Sequence, residues 1–134
     1  MTLKAYVVED NPAIRESLVE TLSELAGMVT AGATGREPEA IAWLTAADAE
    51  WDIAIVDLML EAGGSGLRVL AALRARKPEQ KVVVLTGTAS IDMRRECEAL
   101  GCDRVFDKSM EAEDLLDYCQ ALARQEQGNS PVAP

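Results

Sequence analysis

This sequence predicts an α/β fold, a doubly wound five-stranded parallel sheet with helices on both faces, from three observations. Short apolar runs alternate five times with segments of helical period. The runs are continuously apolar instead of alternating with polar residues, the pattern of strands covered on both faces. Polar residues also stand at the ends of four runs: Glu9 and Asp10 after Ala5-Tyr6-Val7-Val8, Asp57 after Ile53-Ala54-Ile55-Val56, Thr86 after Val82-Val83-Val84-Leu85, and Lys108 just after Val105-Phe106.

The elements follow in order. Lys4 to Val8 reads as the first strand, and Asp10-Asn11-Pro12 as a helix start, with an Asx cap and a proline where the first turn needs no N–H. Ile14, Leu18, Leu22 and Leu25, spaced by four, four and three, mark the buried face of that helix, and Gly27 ends it. Met28 to Ala33 is a weaker strand, and Glu37 to Ala47 a helix opened by Pro38 with Ile41 and Leu44 inward. Trp51 to Val56 is the third strand. A glycine-containing loop, Leu60 to Gly64, leads to a helix capped by Ser65, carrying Leu67, Leu70 and Leu73 and stopped by Lys77-Pro78. Val82 to Thr86 is the fourth strand. Thr88 or Ser90 caps a helix that runs to Leu100, with Gly101 at its end. Val105-Phe106 is the fifth strand, and Glu111 to Arg124 the last helix, striped by Leu115, Tyr118, Cys119 and Leu122. Gln125 to Pro134 has no apolar period and reads as a tail or linker stub after a domain spanning residues 1–124.

A chain of 134 residues, 49% of them apolar, supports one core and is too short for two ordinary domains. Its net charge of −10 argues against nucleic acid as a direct partner, since phosphate backbones are bound through Lys and Arg. No apolar run approaches the roughly 18 to 20 residues that span a bilayer, so a cytoplasmic location is expected. Cys97, Cys102 and Cys119 form no CxxC pair, and the chain has no histidine to complete a zinc site; they read as buried free thiols in a reducing compartment.

Function in an open α/β sheet lies beyond the carboxyl ends of the strands, where strand order reverses. Glu9, Asp10, Asp57, Thr86 and Lys108 all belong to that edge. Carboxylates about 4 Å apart repel by roughly 4 kcal/mol per pair at an effective dielectric near 20, a cost that a cation relieves. Oxygen-only ligation with room for water and phosphate oxygens describes magnesium better than zinc. Asp57 is then a carboxylate nucleophile toward phosphorus, while Lys108, the Thr86 hydroxyl and the cation supply charge and donors to the phosphoryl oxygens. Each residue has a plainer reading on its own: Asp10 a helix cap, Asp57 a turn aspartate, Thr86 a turn hydroxyl, Lys108 a solvated lysine. Their coincidence at four strand ends favours the joint site.

These residues and spacings resemble the receiver domain of two-component response regulators, in its chemotaxis-receiver-like form, from about Lys4 to Arg124. Val7-Val8-Glu9-Asp10-Asn11-Pro12 is similar to the acidic pair of that family's first strand, and Val56-Asp57-Leu58 to its phosphoacceptor strand. Leu85-Thr86-Gly87 is similar to its hydroxyl-bearing strand, and Ala99 to Cys102 through Asp107-Lys108 to its closing lysine element. The resemblance implies a flavodoxin-like (βα)5 sheet of order 2-1-3-4-5. It implies that Asp57 accepts a phosphoryl group from a sensor histidine kinase or histidine phosphotransfer protein. Mg²⁺ is then held by Asp10, Asp57, the Met59 carbonyl and, through water, Glu9. Lys108 pairs with the phosphoryl group and Thr86 moves toward it, switching a face read by a downstream partner or an output domain. The chain is by this reading a phosphoacceptor and not an enzyme acting on another substrate.

The departures from the family pattern bear on the switch. The usual aromatic three residues before the lysine is Val105, with Phe106 on the opposite face of the strand, so a rearrangement of the Thr86 to Ser90 loop is expected to carry the signal. Lys-Pro is replaced by Lys108-Ser109, which favours a trans bond. The loop from Asp57 to Gly66 is one residue longer than usual and holds Glu61 where proline is common. Met59 and Thr88, placed where side chains influence phosphate lifetime, are ill suited to orient water, and slow self-dephosphorylation is expected. Tyr118, Arg94 and Arg95 read as solvated helix faces, with a phosphorylation-dependent homodimer or partner surface as the alternative.

Three other functions compete. A haloacid-dehalogenase-like phosphatase needs a second aspartate two residues beyond its nucleophile, and Asp57-Leu58-Met59 lacks it. An FMN module needs a neutral phosphate loop after the first strand, where Glu9-Asp10 repels the anion. A degenerate receiver acting as an interaction scaffold is the third.

Overall fold

The computed structural model describes residues 2–129. Its strands are β1 (Lys4–Val8), β2 (Val29–Thr34), β3 (Ile53–Val56), β4 (Lys81–Thr86) and β5 (Arg104–Asp107). They pair in parallel in the order β2-β1-β3-β4-β5. The helices are α1 (Pro12–Ala26), α2 (Glu37–Leu44), α3 (Gly66–Ala72), α4 (Ile91–Ala99) and α5 (Ala112–Asn129), with a 3-10 turn at Glu61–Gly63.

The period of two along each strand sorts the core into two layers. Tyr6, Val8, Ala54, Val56, Val82, Val84 and Val105 face α2, α3 and α4, meeting Leu44, Val69, Leu70 and Cys97. Ala5, Val7, Ile53, Ile55, Val83, Leu85 and Phe106 face α1 and α5, meeting Leu22, Ala26, Leu115 and Cys119. Each fully buried aliphatic side chain stabilises the fold by about 1.5 to 3 kcal/mol, and the central strands β1, β3 and β4 supply most of them to both layers, while the edge strand β2 is largely half-buried. The chain leaves β1 toward β2 through α1 and then returns across the sheet through α2. This reversal of direction puts the switch point between β1 and β3.

Caps match their sequence signals. Asn11 accepts from the N–H groups of Ala13 and Ile14, at 2.9 and 3.2 Å, and Gly27 closes α1 with φ +65°. Ser65 accepts from Leu67 N–H, and of the two candidate caps for α4 it is Ser90 that accepts, from Met93 N–H at 3.1 Å. The stripe of α1 departs from expectation at both ends: Ile14 is 37% and Leu25 55% exposed, and Ala26, one further step of four beyond Leu22, is buried in place of Leu25. Helix α2 stops at Leu44, short of Ala47. Helix α5 continues past Arg124 to Asn129. A run such as Gln125-Glu126-Gln127 carries helix propensity without an apolar face, which periodicity does not register. The rest of the expected tail, residues 130–134, lies outside the described residues.

No helix among the described residues is long and apolar enough to cross a membrane.

Candidate functional site

Parallel register brings the strand ends to one edge. Val8 pairs with Val56, Val56 with Val84, and Thr86 with Asp107, so the residues that follow them converge. Glu9 is anchored by its N–H to Thr34 O at 2.9 Å, Asp57 by its N–H to Val8 O at 2.8 Å, and Lys108 by its N–H to Thr86 O at 2.9 Å. Glu9, Asp57 and Thr86 are buried, and Asp10 and Lys108 partly so.

One carboxylate oxygen from each of Glu9, Asp10 and Asp57 lies within 4.8 Å of the other two. The Lys108 ammonium closes the group, 2.5 Å from Glu9 Oε1 and 2.9 Å from Asp57 Oδ2. Burial, then a hydrogen bond shared with Asp10, raises the Glu9 carboxyl from 4.5 to about 7 against the pull of Lys108. The same bond, now seen from its partner, holds Asp10 below its ordinary range. Burial lowers Lys108, but hydrogen bonds to Asp57 and Glu9 outweigh it and keep the ammonium above its usual value. Three close carboxylates with one ammonium and oxygen-only donors fit a hard divalent cation that keeps part of its water shell.

Thr86 is buried at the end of β4, and its hydroxyl lies 3.1 Å from Thr88 Oγ1 and accepts from Thr88 N–H at 3.3 Å. Met59 directs its N–H toward Asp57 Oδ1 at 3.4 Å, pairs in an antiparallel bridge with Ser65, and exposes its side chain. All the expected site residues therefore belong to this edge.

Arg15 and Gly66, which sequence reasoning did not single out, shape it, and so does Arg94, which the sequence placed on a solvated helix face. Arg15 donates to Glu9 O at 2.9 Å, steadying the acidic turn. Gly66 lies so close to the chain after β3 that a Cβ there would stand 2.1 Å from Asp57 O. Glycine immediately after a capping serine was the available signal. Arg94 donates to Ala89 O and Val105 O, at 3.2 and 2.9 Å, and pairs with Glu111. It ties the β4–α4 loop to the start of α5 and is not a solvated helix residue. Tyr118 is likewise engaged, its ring 5.9 Å from Phe106, with Arg104 over both rings. Arg95 is exposed.

The departures noted in the sequence take definite form. Val105 and Phe106 enter opposite core layers. The Lys108–Ser109 bond is trans, and Asp107 Oδ1 gathers the N–H groups of Ser109 and Met110 at 2.8 and 3.1 Å. The loop after Asp57 is folded back, with Glu61 N–H on Gly35 O at 2.9 Å and Leu60 N–H on Gly64 O at 3.1 Å.

A five-stranded parallel sheet of this order, with an acidic triad and a lysine at its switch point, defines a receiver-type signalling domain. The chain belongs to the response regulator receiver domain family, whose sequence profile matches residues 5–120. It is 32% identical over 124 residues to the response regulator MprA of Mycolicibacterium vanbaalenii, covering 92% of this chain and 52% of that protein. It is 27% identical over 128 residues to the transcriptional regulatory protein PmrA of Pectobacterium parmentieri, covering 96% and 55%. The chain thus spans about half the length of these curated relatives. Among solved structures, a Burkholderia pseudomallei response regulator with a phosphorylated aspartic acid, calcium ion and citrate matches with TM-score 0.75 and 28% identity, over 98% of this chain and 77% of that one. The BeF3-activated receiver domain of DrrB matches with TM-score 0.74 and 21% identity, over 92% and 99%.

Proposed function

We propose that Asp57 is the phosphoacceptor of this receiver domain and takes a phosphoryl group from a phosphohistidine on a sensor histidine kinase or histidine phosphotransfer protein. The observation that carries this reading is the Lys108 ammonium resting 2.9 Å from Asp57 Oδ2, beside the mutually close oxygens of Glu9, Asp10 and Asp57. An ionised aspartate is already a nucleophile and needs no general base. One Asp57 oxygen attacks phosphorus in line, the new O–P bond forms as the donor's N–P bond breaks, and the imidazole nitrogen keeps the electron pair. Lys108 neutralises charge on the phosphoryl oxygens, and the Thr86 hydroxyl donates to one of them after leaving Thr88. Asp10, Asp57 and the Met59 carbonyl would hold Mg²⁺, with Glu9 acting through water; the ion supplies further positive charge to the phosphoryl oxygens when bound.

A groove of about 410 Å³ beside Lys108, lined by Ile14, Leu18, Leu85 and Leu115, offers a donor helix an apolar seat next to the acceptor. The domain so defined includes residues 1–124 and the continuation of α5 to Asn129, which leads toward a linker or tail. It works in the cytoplasm as an acceptor and not as a catalyst of other substrates. Its α4–β5–α5 face serves a downstream partner, an attached output domain or a homodimer formed on phosphorylation. Met59 is apolar and Thr88 is held by Thr86, so neither orients water, and the aspartyl phosphate is long-lived.

Treatment with acetyl phosphate and Mg²⁺ tests the assignment. The expected result is the mass of one added phosphoryl group, lost in Asp57→Ala and without Mg²⁺. Folded protein that takes up no phosphoryl group would refute it and leave a scaffold role.

A further inference from the structure

All three cysteines are free, and two of them are joined by a backbone hydrogen bond at the end of α4. That helix closes in a Schellman turn: Gly101 has φ +93°, and Cys102 N–H bonds back to Cys97 O at 3.2 Å. In such a turn the side chain just past the glycine packs against the one a helical turn before it. Here both are thiols. Cys97 is fully buried in the layer beneath α4, and Cys102, partly exposed, packs on the same layer. The backbone bond between them keeps their Cα atoms within roughly 7 Å, near the upper end of the span a disulfide bridges.

The chain on either side of Cys102 is held. Arg76 donates to Gly101 O at 3.0 Å and to the Asp103 carboxylate at 2.9 Å. Asp103 also accepts from Val82 N–H at 2.8 Å and donates its own N–H to Val82 O at 2.7 Å. Each thiol feels the other more than any other group: the hydrogen bond between them makes the first proton of the pair easier to lose and the second harder, and the solvent-accessible sulfur of that pair is Cys102. Cys119 lies in the opposite layer, under α5, where burial pushes it up to about 12.

We infer that Cys97 and Cys102 form a dithiol that closes to an intramolecular disulfide when a small-molecule disulfide reaches the accessible Cys102. The Cys102 sulfur, as thiolate, attacks one sulfur of the reagent and expels one thiolate; the Cys97 sulfur then attacks the Cys102 sulfur and expels the second. The protein loses two protons and two electrons, and the reagent gains them as two thiols. The bridge ties the last turn of α4 to the residues that lead into β5. This site is independent of the phosphoacceptor assignment.

The test is incubation of the full chain with oxidised glutathione, alkylation of remaining thiols, and cleavage after glutamate. Glu98 lies between the two cysteines, so the resulting peptides stay joined only through a bridge. The expected result is joined Cys97 and Cys102 peptides with Cys119 alkylated, no joining in Cys102→Ser, and a persistent glutathione adduct on Cys102 in Cys97→Ala. A wild-type chain that keeps glutathione on Cys102 without closing, remains fully alkylated, or bridges through Cys119 would overturn the inference. Having two variants, one at an exposed and one at a buried position, keeps the result readable should either fold poorly.

Discussion

Glu9 is the carboxylate whose charge the pocket accommodates least, because it is almost wholly buried and shares its space with Asp10 and Asp57. Its folded-state value, about 7 against 4.5, means the folded chain binds that proton more tightly than the unfolded chain does. Its contribution to stability is therefore complete below pH 4.5 and is lost as pH rises through about 7. Urea unfolding of metal-free protein across that window is expected to show a loss of roughly 2 to 3 kcal/mol, reduced by saturating Mg²⁺. Lys108 opposes the same repulsion. Lys108→Met is expected to bind Mg²⁺ roughly tenfold more tightly by calorimetry, since a competing cation is gone, while phosphoryl uptake slows by a similar factor. Opposite signs from one substitution separate an electrostatic role from a merely structural one. The five site residues were legible in the sequence because each stands within two residues of the end of an apolar run. Arg15 and Arg94 were not, because a long flexible side chain reaching a backbone carbonyl leaves no periodic trace.

Among the elements, the β3–α3 connection is the most tightly built. Gly66 N–H donates to Leu58 O at 2.9 Å, and its Cα faces Asp57 O at a distance that admits no methyl group. Gly66→Ala is expected to destabilise the domain by about 3 kcal/mol in urea titration and to weaken phosphoryl uptake, since the strain falls on the peptide of Asp57, the proposed acceptor. Asn11→Ala removes a cap that satisfies two N–H groups of α1 and is expected to cost about 1 kcal/mol without changing phosphoryl uptake. The order and type of the five strands and five helices were readable from apolar runs and turn residues, whereas the 3-10 turn at Glu61–Gly63 read as loop. Their bounds were less so: β3 begins at Ile53, although the Asp52 backbone already bonds to Lys4 O and Lys81 N–H at 2.8 and 2.9 Å and its carboxylate accepts from Lys4 N–H at 2.7 Å. Leu25 shows the same limit, since a stripe of steps of four runs equally well into an alanine as into a leucine.

The molecule as a whole is strongly acidic, with a net charge of −10. Self-repulsion weakens the compact state at low ionic strength, where the screening length is about 30 Å, and fades at physiological salt, where it is about 8 Å. The melting temperature is expected to rise by about 3 to 5 °C between those conditions, and a DNA column is expected not to retain the chain at either. Signalling in such a molecule depends on how seldom it fires unprompted. The Thr86 hydroxyl is engaged with both the hydroxyl and the N–H of Thr88, and in the proposed mechanism it gives up both contacts before it serves a phosphoryl oxygen. At about 1 kcal/mol for each, an unmodified chain occupies the active arrangement only about 3% of the time. A pair of neighbouring threonines thereby acts as a latch against leakage. Replacing Thr88 with alanine is expected to raise the idle output of the pathway before any phosphate arrives.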